Sequence, residues 1–233
     1  MFLSRMYLNP QRRETRKLVA SPQAMHAAVL ASFPPDVQSG DGKGRVLWRL
    51  DQEGHTLSLY IVSPGKPSFE HLQQQAGWEN EESWAIRDYA PVLDSISRGK
   101  RFRFRLDANP VRSVHDPDTG KVKRFAHVTA TQQREWLIER ADSMGVKFLP
   151  ADTSSRLDST DENSDKAVTV SRREIMKFRR NNALVTIARA QFDGVLEVTD
   201  AEKFLYVLTN GIGRAKSYGC GLMTLAPLHG YRN

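Results

Sequence analysis

"TDAEKFLYVLTNGIGRAKSYGCGLMTLAP" spans residues 199–227, and the order of elements within it decides the fold class. A helix comes first. Its start is marked by a capping box of Thr199 and Glu202, and its end by Gly211. Four glycines follow, Gly211, Gly213, Gly219 and Gly221, with Arg214 and Lys216 among them. The strand "LMTLA" closes the stretch. Helix, glycine loop, strand is the reverse of the dinucleotide-binding order. No Gly-Lys-Ser/Thr opens a helix, so the loop is not a P-loop either. Glycine lets the backbone take positive φ and lets a phosphate approach the main chain. Successive N–H groups in such turns form an anion-binding concavity. A tight turn with solvated cations is the alternative.

Working upstream, "VTVSRREIMKFRRNNALVTIARAQF" (168–192) holds two β-rich runs around a basic centre, and "FDGV" (192–195) carries an Asp-Gly hairpin signal. "ADTSSRLDSTDENSDKA" (151–167) has five acids, four serines and almost nothing apolar, which predicts a mobile loop. "TQQREWLIERADSMG" (131–145) predicts a helix capped by Thr131, with Trp136, Leu137 and Met144 inward and Gly145 at its end. "RFAHVTA" (124–130) predicts a strand. "KRFRFRL" (100–106) alternates strictly, with Phe102, Phe104 and Leu106 on one face and Arg101, Arg103 and Arg105 on the other. The second half thus has the order β-α-β-β-α-β with a hairpin inserted.

The first half starts the same way. "FLSRMYL" (2–8) is a strand with Phe2, Ser4, Met6 and Leu8 on one face. "SPQAMHAAVLASFP" (21–34) is a helix with Ser21 as N-cap and Pro22 at its first position. "RVLWRL" (45–50) and "TLSLYIV" (56–62) form a hairpin, and "FEHLQQQ" (69–75) is a short helix. Residues 77–97 fit no single element and are assigned to a connection. β-α-β-β-α is the beginning of a ferredoxin-like unit.

Net charge is +7, which points to an acidic partner, most simply nucleic acid. "RREIMKFRR" (172–180) holds Arg172, Arg173, Lys177, Arg179 and Arg180, and the first half adds Arg5, Arg12, Arg13, Arg16 and Lys17. A charged solvated face is the alternative for any one cluster. The single cysteine, Cys220, excludes an internal disulfide and a cysteine-rich zinc site. It fits a reducing, cytoplasmic compartment. No apolar run is long enough to span a membrane. The histidines show no metal-ligand spacing. His26 falls about one turn inside the helix after Ser21, beside the inward-facing Met25 and Val29. The helix N-terminus disfavours added positive charge there, so the ring stays neutral near pH 7 and able to act as a base. On residues alone, an ordinary surface histidine fits as well.

Three stretches together resemble the CasE-type CRISPR repeat endoribonucleases, the RNA-processing subunit of the type I-E Cascade complex. "GIGRAKSYGCGLMTLAP" looks like that family's glycine-rich signature. "GKRFRFRLDANP" (99–110) looks like the strand opening its second domain. "LNPQRRETRKLVASPQAMH" (8–26) looks like its first strand, basic linker and catalytic helix, with His26 at the family's histidine. Gln23 stands where some relatives carry a tyrosine. The resemblance implies an α+β protein of two tandem ferredoxin-like (RRM-like) βαββαβ domains, 1–90 and 98–233. It implies cleavage of a repeat hairpin without metal or cofactor, giving 5′-OH and 2′,3′-cyclic phosphate ends. His26 is then catalytic. Lys17, the cations of 172–180, the four loop glycines, Arg214 and Lys216 contact RNA. Expected partners are the CRISPR repeat hairpin and the other Cascade subunits, with no membrane and a monomer in isolation. The rivals are a non-catalytic RNA-binding subunit of the same superfamily, a DNA-binding architectural protein, and a metabolic enzyme that uses the glycine loop for a nucleotide.

Overall fold

The structure is a computed structural model that describes residues 1–38, 44–79, 81–115, 120, 122–150, 167–180 and 183–228. The chain divides into two compact units: Met1–Ser95 with Leu205–Leu222, and Ile96–Phe204 with Met223–Asn233.

In chain order the elements of the first half are β1 (Phe2–Leu8), α1 (Arg13–Ala20), α2 (Pro22–Leu30), α3 (Pro35–Gln38), β2 (Leu47–Glu53), β3 (Thr56–Ser63), α4 (Glu70–Ala76), β4 (Trp84–Asp88) and α5 (Ala90–Asp94). Their sheet has the order β2-β3-β1-β4, antiparallel throughout. That is the ferredoxin-like arrangement. The strands alternate as the sequence predicts. Met6, Leu8, Trp48, Leu50, Leu57, Leu59 and Ile61 point to one face and pack with Met25 and Val29 of α2 and Leu72 and Ala76 of α4. Leu47 and Val62 point to the opposite face, where Tyr89 and Leu222 cover them.

The assignment of 77–97 to a connection is corrected. It contains β4, which closes the sheet beside β1. As an edge strand whose residues are all half-buried or exposed, β4 lacks the alternation that marks a two-sided strand. The basic linker is also corrected, because Arg13–Ala20 is helical. Arg12 there is structural: its Nη1 donates to the carbonyls of Gln73 and Gly77 at the end of α4.

The second half runs β5 (Arg101–Ala108), β6 (Val111–His115), β7 (Val122–Ala126), α6 (Ala130–Ile138), α7 (Ala141–Met144), β8 (Val146–Leu149), β9 (Val168–Arg180), β10 (Ala183–Val198), α8 (Ala201–Asn210), a single 3₁₀ turn at Lys216–Tyr218, and β11 (Met223–Pro227). The order β11-β5-β10-β8 repeats the pattern of the first sheet. β5 pairs with β10 over Ala190–Glu197, while β9 and β8 share the other edge of β10. From Ala183 to Arg189, β10 has only β9 beside it, so this part is a two-stranded ribbon. β6 and β7 form a separate ribbon.

Four local expectations change. The "FDGV" hairpin is absent, since Asp193 and Gly194 lie inside β10. Gly194 is required by close approach, because a Cβ would come within 2.7 Å of Ala167 O and 3.0 Å of Phe104. Thr129, not Thr131, caps α6 through a box with Gln132. Asp200, not Thr199, caps α8, its Oδ1 accepting from Lys203 N. "RFAHVTA" is a strand only as far as Ala126. Most of the acidic loop, 151–166, lies outside the described residues. No helix among the described residues is long and apolar enough to cross a membrane.

Candidate active site

α2 starts where the sequence places it. Ser21 has extended backbone angles, and its hydroxyl accepts from Ala24 N at 3.2 Å. Met25 and Val29 are fully buried, which turns His26 to the side of the helix, half-buried. There its Nδ1 meets Trp48 Nε1 on β2 at 3.2 Å.

β2 is an edge strand, and an edge exposes unpaired backbone groups. The segment Gly211–Leu222 wraps this edge through three side chains in sequence. Gly211 sits on Leu47: a Cβ there would lie 2.8 Å from Leu47 Cδ2. Gly219 sits on the other face, where a Cβ would lie 2.7 Å from the Trp48 ring. Between them, buried Arg49 is held by Asp51 in a bidentate pair (2.6 and 2.9 Å) and donates to Leu222 O at 3.2 Å. The 3₁₀ turn is thereby set against α2, which carries His26. All four loop glycines have positive φ, from 68° to 92°. Tight turns and close approach to β2 account for Gly211, Gly219 and Gly221; Gly213 and Arg214 are exposed. Cys220 is buried as a small apolar residue.

Lys216 is half-buried, and its Nζ donates to Asn210 O at the end of α8. Burial, and then the charge of Arg45, push its pKa below the usual lysine value. Two cations close enough to disfavour one another form a site that an anion relieves. Arg45 and Trp48 are the site residues that sequence reasoning missed. A partner distant in the chain gives neither one a local signal.

Lys17 lies on α1, exposed and paired with Glu14 at 2.6 Å. The basic segment belongs to the second unit. The exposed positions on β9 include Arg173, Ile175, Lys177 and Arg179. Arg172 faces the other way and pairs with Glu174 at 3.1 Å. Arg173 donates to Val128 O. The side chain of Arg180 lies outside the described residues. The basic face of β5 is largely neutralised, with Arg101 on Glu197 and Arg105 on Asp193, each at 2.7 Å. Among the described residues, no three His, Cys, Asp or Glu side chains lie together as a metal site would need.

Two ferredoxin-like units, with a histidine set beside a glycine-rich turn, define the class: the chain belongs to a family of CRISPR-associated proteins, a family model described as CRISPR associated protein matching residues 1–227. It is similar to the CRISPR-associated endoribonuclease Cse3 of Thermus thermophilus, with 29% identity over 235 residues, 97% of this chain and 100% of that relative. It is also similar to the Cascade subunit CasE of Escherichia coli K12, with 29% identity over 130 residues, 54% of this chain and 57% of the relative. A solved structure of Thermus thermophilus Cse3 bound to an RNA representing a pre-cleavage complex matches with a TM-score of 0.75 and 27% identity, over 97% of this chain and 98% of that one.

Proposed function

We propose that this chain is an endoribonuclease that cleaves CRISPR repeat hairpins in precursor RNA and remains with the product in a Cascade-type complex. The observation that carries the proposal is the placement of His26 on α2, against the glycine-rich turn that bears Lys216. Cleavage needs no metal. The ribose 2′-hydroxyl is a nucleophile already in the substrate, and attack on the adjacent phosphate leaves a 2′,3′-cyclic phosphate and a 5′-OH. His26 acts at that phosphate, and Arg45 and Lys216 supply the positive field for it. Lys177 and Arg179 on the β9–β10 ribbon grip the stem through phosphates. The work is done in the cytoplasm.

The test is a repeat hairpin with one 2′-deoxy nucleotide before the scissile phosphate, incubated in EDTA beside its all-ribose counterpart. The ribose form is cut and the deoxy form is not. His26→Ala loses cutting and keeps binding. Cleavage of the deoxy hairpin would end this proposal; binding without any cleavage of the ribose form would favour a purely RNA-binding subunit.

A further inference from the structure

Trp48 decides which nitrogen of His26 is presented to RNA. An indole N–H only donates, so the 3.2 Å contact from Trp48 Nε1 makes His26 Nδ1 the acceptor. A neutral imidazole carries one N–H, and here it falls on Nε2. The indole has no room to turn. Trp48 is 2% exposed, and Gly219 sits against its ring so closely that even a Cβ would overlap it. A proton added at Nδ1 would set two N–H groups head to head.

We infer that Trp48 is a positioning residue that fixes His26 as an Nε2–H hydrogen-bond donor, so that His26 steadies charge on the scissile phosphate rather than removing the 2′-hydroxyl proton. This rests on the function proposed above and departs from the expectation of a histidine base. In the step so described, the 2′-oxygen bonds to phosphorus while the bond from phosphorus to the 5′-oxygen breaks. Solvent hydroxide takes the 2′ proton, and water protonates the departing 5′-oxygen. The ring keeps its proton throughout and contributes a preorganised donor.

Other titratable and charged groups stand on the elements around α2. They are Lys216 and Tyr218 on the 3₁₀ turn, the Glu14–Lys17 pair with Arg13 and Arg16 on α1, Glu70 and His71 on α4, and the Arg49–Asp51 pair on β2. Any pH effect assigned to His26 must therefore be read against variants.

The deciding measurement is ¹⁵N NMR on the full chain labelled at histidine, without RNA. His26 Nδ1 is expected in the acceptor range and Nε2 in the N–H range; the opposite assignment overturns the inference. The second readout is the pH profile of single-turnover cleavage. The wild-type rate rises with pH without levelling near the ordinary histidine value of about 6.5. Trp48→Phe keeps an aromatic ring against Gly219 and loses the N–H. It should slow cleavage about tenfold, the size of one neutral hydrogen bond. It should leave RNA affinity unchanged and introduce a break near neutral pH. A Trp48→Phe profile identical to wild type overturns the inference; should that variant not fold, the NMR of the wild type decides alone. Cleavage of the 2′-deoxy hairpin would sink the ribonuclease proposal while the nitrogen assignment stood.

Discussion

Gly219 has a φ of 78° and lies against an indole ring with no room for another carbon. Gly219→Ala meets two obstacles: roughly 1–2 kcal/mol for a left-handed conformation, and an overlap that moves Trp48. The melting temperature is expected to fall by about 4 °C or more, and cleavage to drop with it because Trp48 holds His26. Unchanged melting and cleavage would show that the turn gives way freely. Lys216 carries a pH prediction. Burial holds its folded pKa below 10.5, so the folded protein sheds this proton before an unfolded chain would. Folding is therefore penalised while Lys216 is charged, and the penalty fades as pH rises through the lowered value. RNA binding runs the other way, since a phosphate favours the charged form. Affinity for a hairpin blocked by a 2′-deoxy nucleotide should weaken on the alkaline side, at a pH below 10.5. Lys216→Arg should flatten that dependence, because arginine stays protonated. A parallel fall in both proteins would exclude Lys216 as the cause.

At the scale of elements, the β9–β10 ribbon separates cations that the sequence alone lumps together. Arg172 is spent on Glu174, whereas Lys177 and Arg179 project from the exposed face. Each of Lys177→Ala and Arg179→Ala should lower the slope of log affinity against log salt by about 0.7 to 0.9. Arg172→Ala should change the slope little; an equal effect of all three would contradict the pairing. Elements with strong alternation or clear caps were legible beforehand, as β1, α2, the β2–β3 hairpin and β5 show. β4 was not, because a half-exposed edge strand has no two-sided pattern. Asp193-Gly194 misled for a different reason. Local turn chemistry was overridden by Phe104, which lies opposite Gly194 across the sheet and needs a residue without a side chain there.

For the molecule as a whole, the second half of the chain completes the first. Residues 1–95 supply the sheet, α2 and His26, but Gly211–Leu222 covers the β2 edge and Leu222 caps the face of Leu47 and Val62. A fragment ending at Ser95 would leave this edge and apolar surface bare. It should associate in sedimentation experiments, whereas the full chain should stay monomeric; a well-behaved monomeric fragment would contradict the role assigned to the loop. His26 and the glycine loop could be named from sequence. Trp48, which joins them, could not, because the contact depends on a fold that brings position 219 to position 48, and neither could Arg45, whose charge acts on Lys216.

The wrapping of β2 by Gly211–Leu222 also orders events during synthesis. A nascent chain emerging from the ribosome presents α2 and His26 well before the turn that braces Trp48 and brings Lys216 alongside. Polypeptides that stop before Gly219 should accordingly be unable to cut RNA.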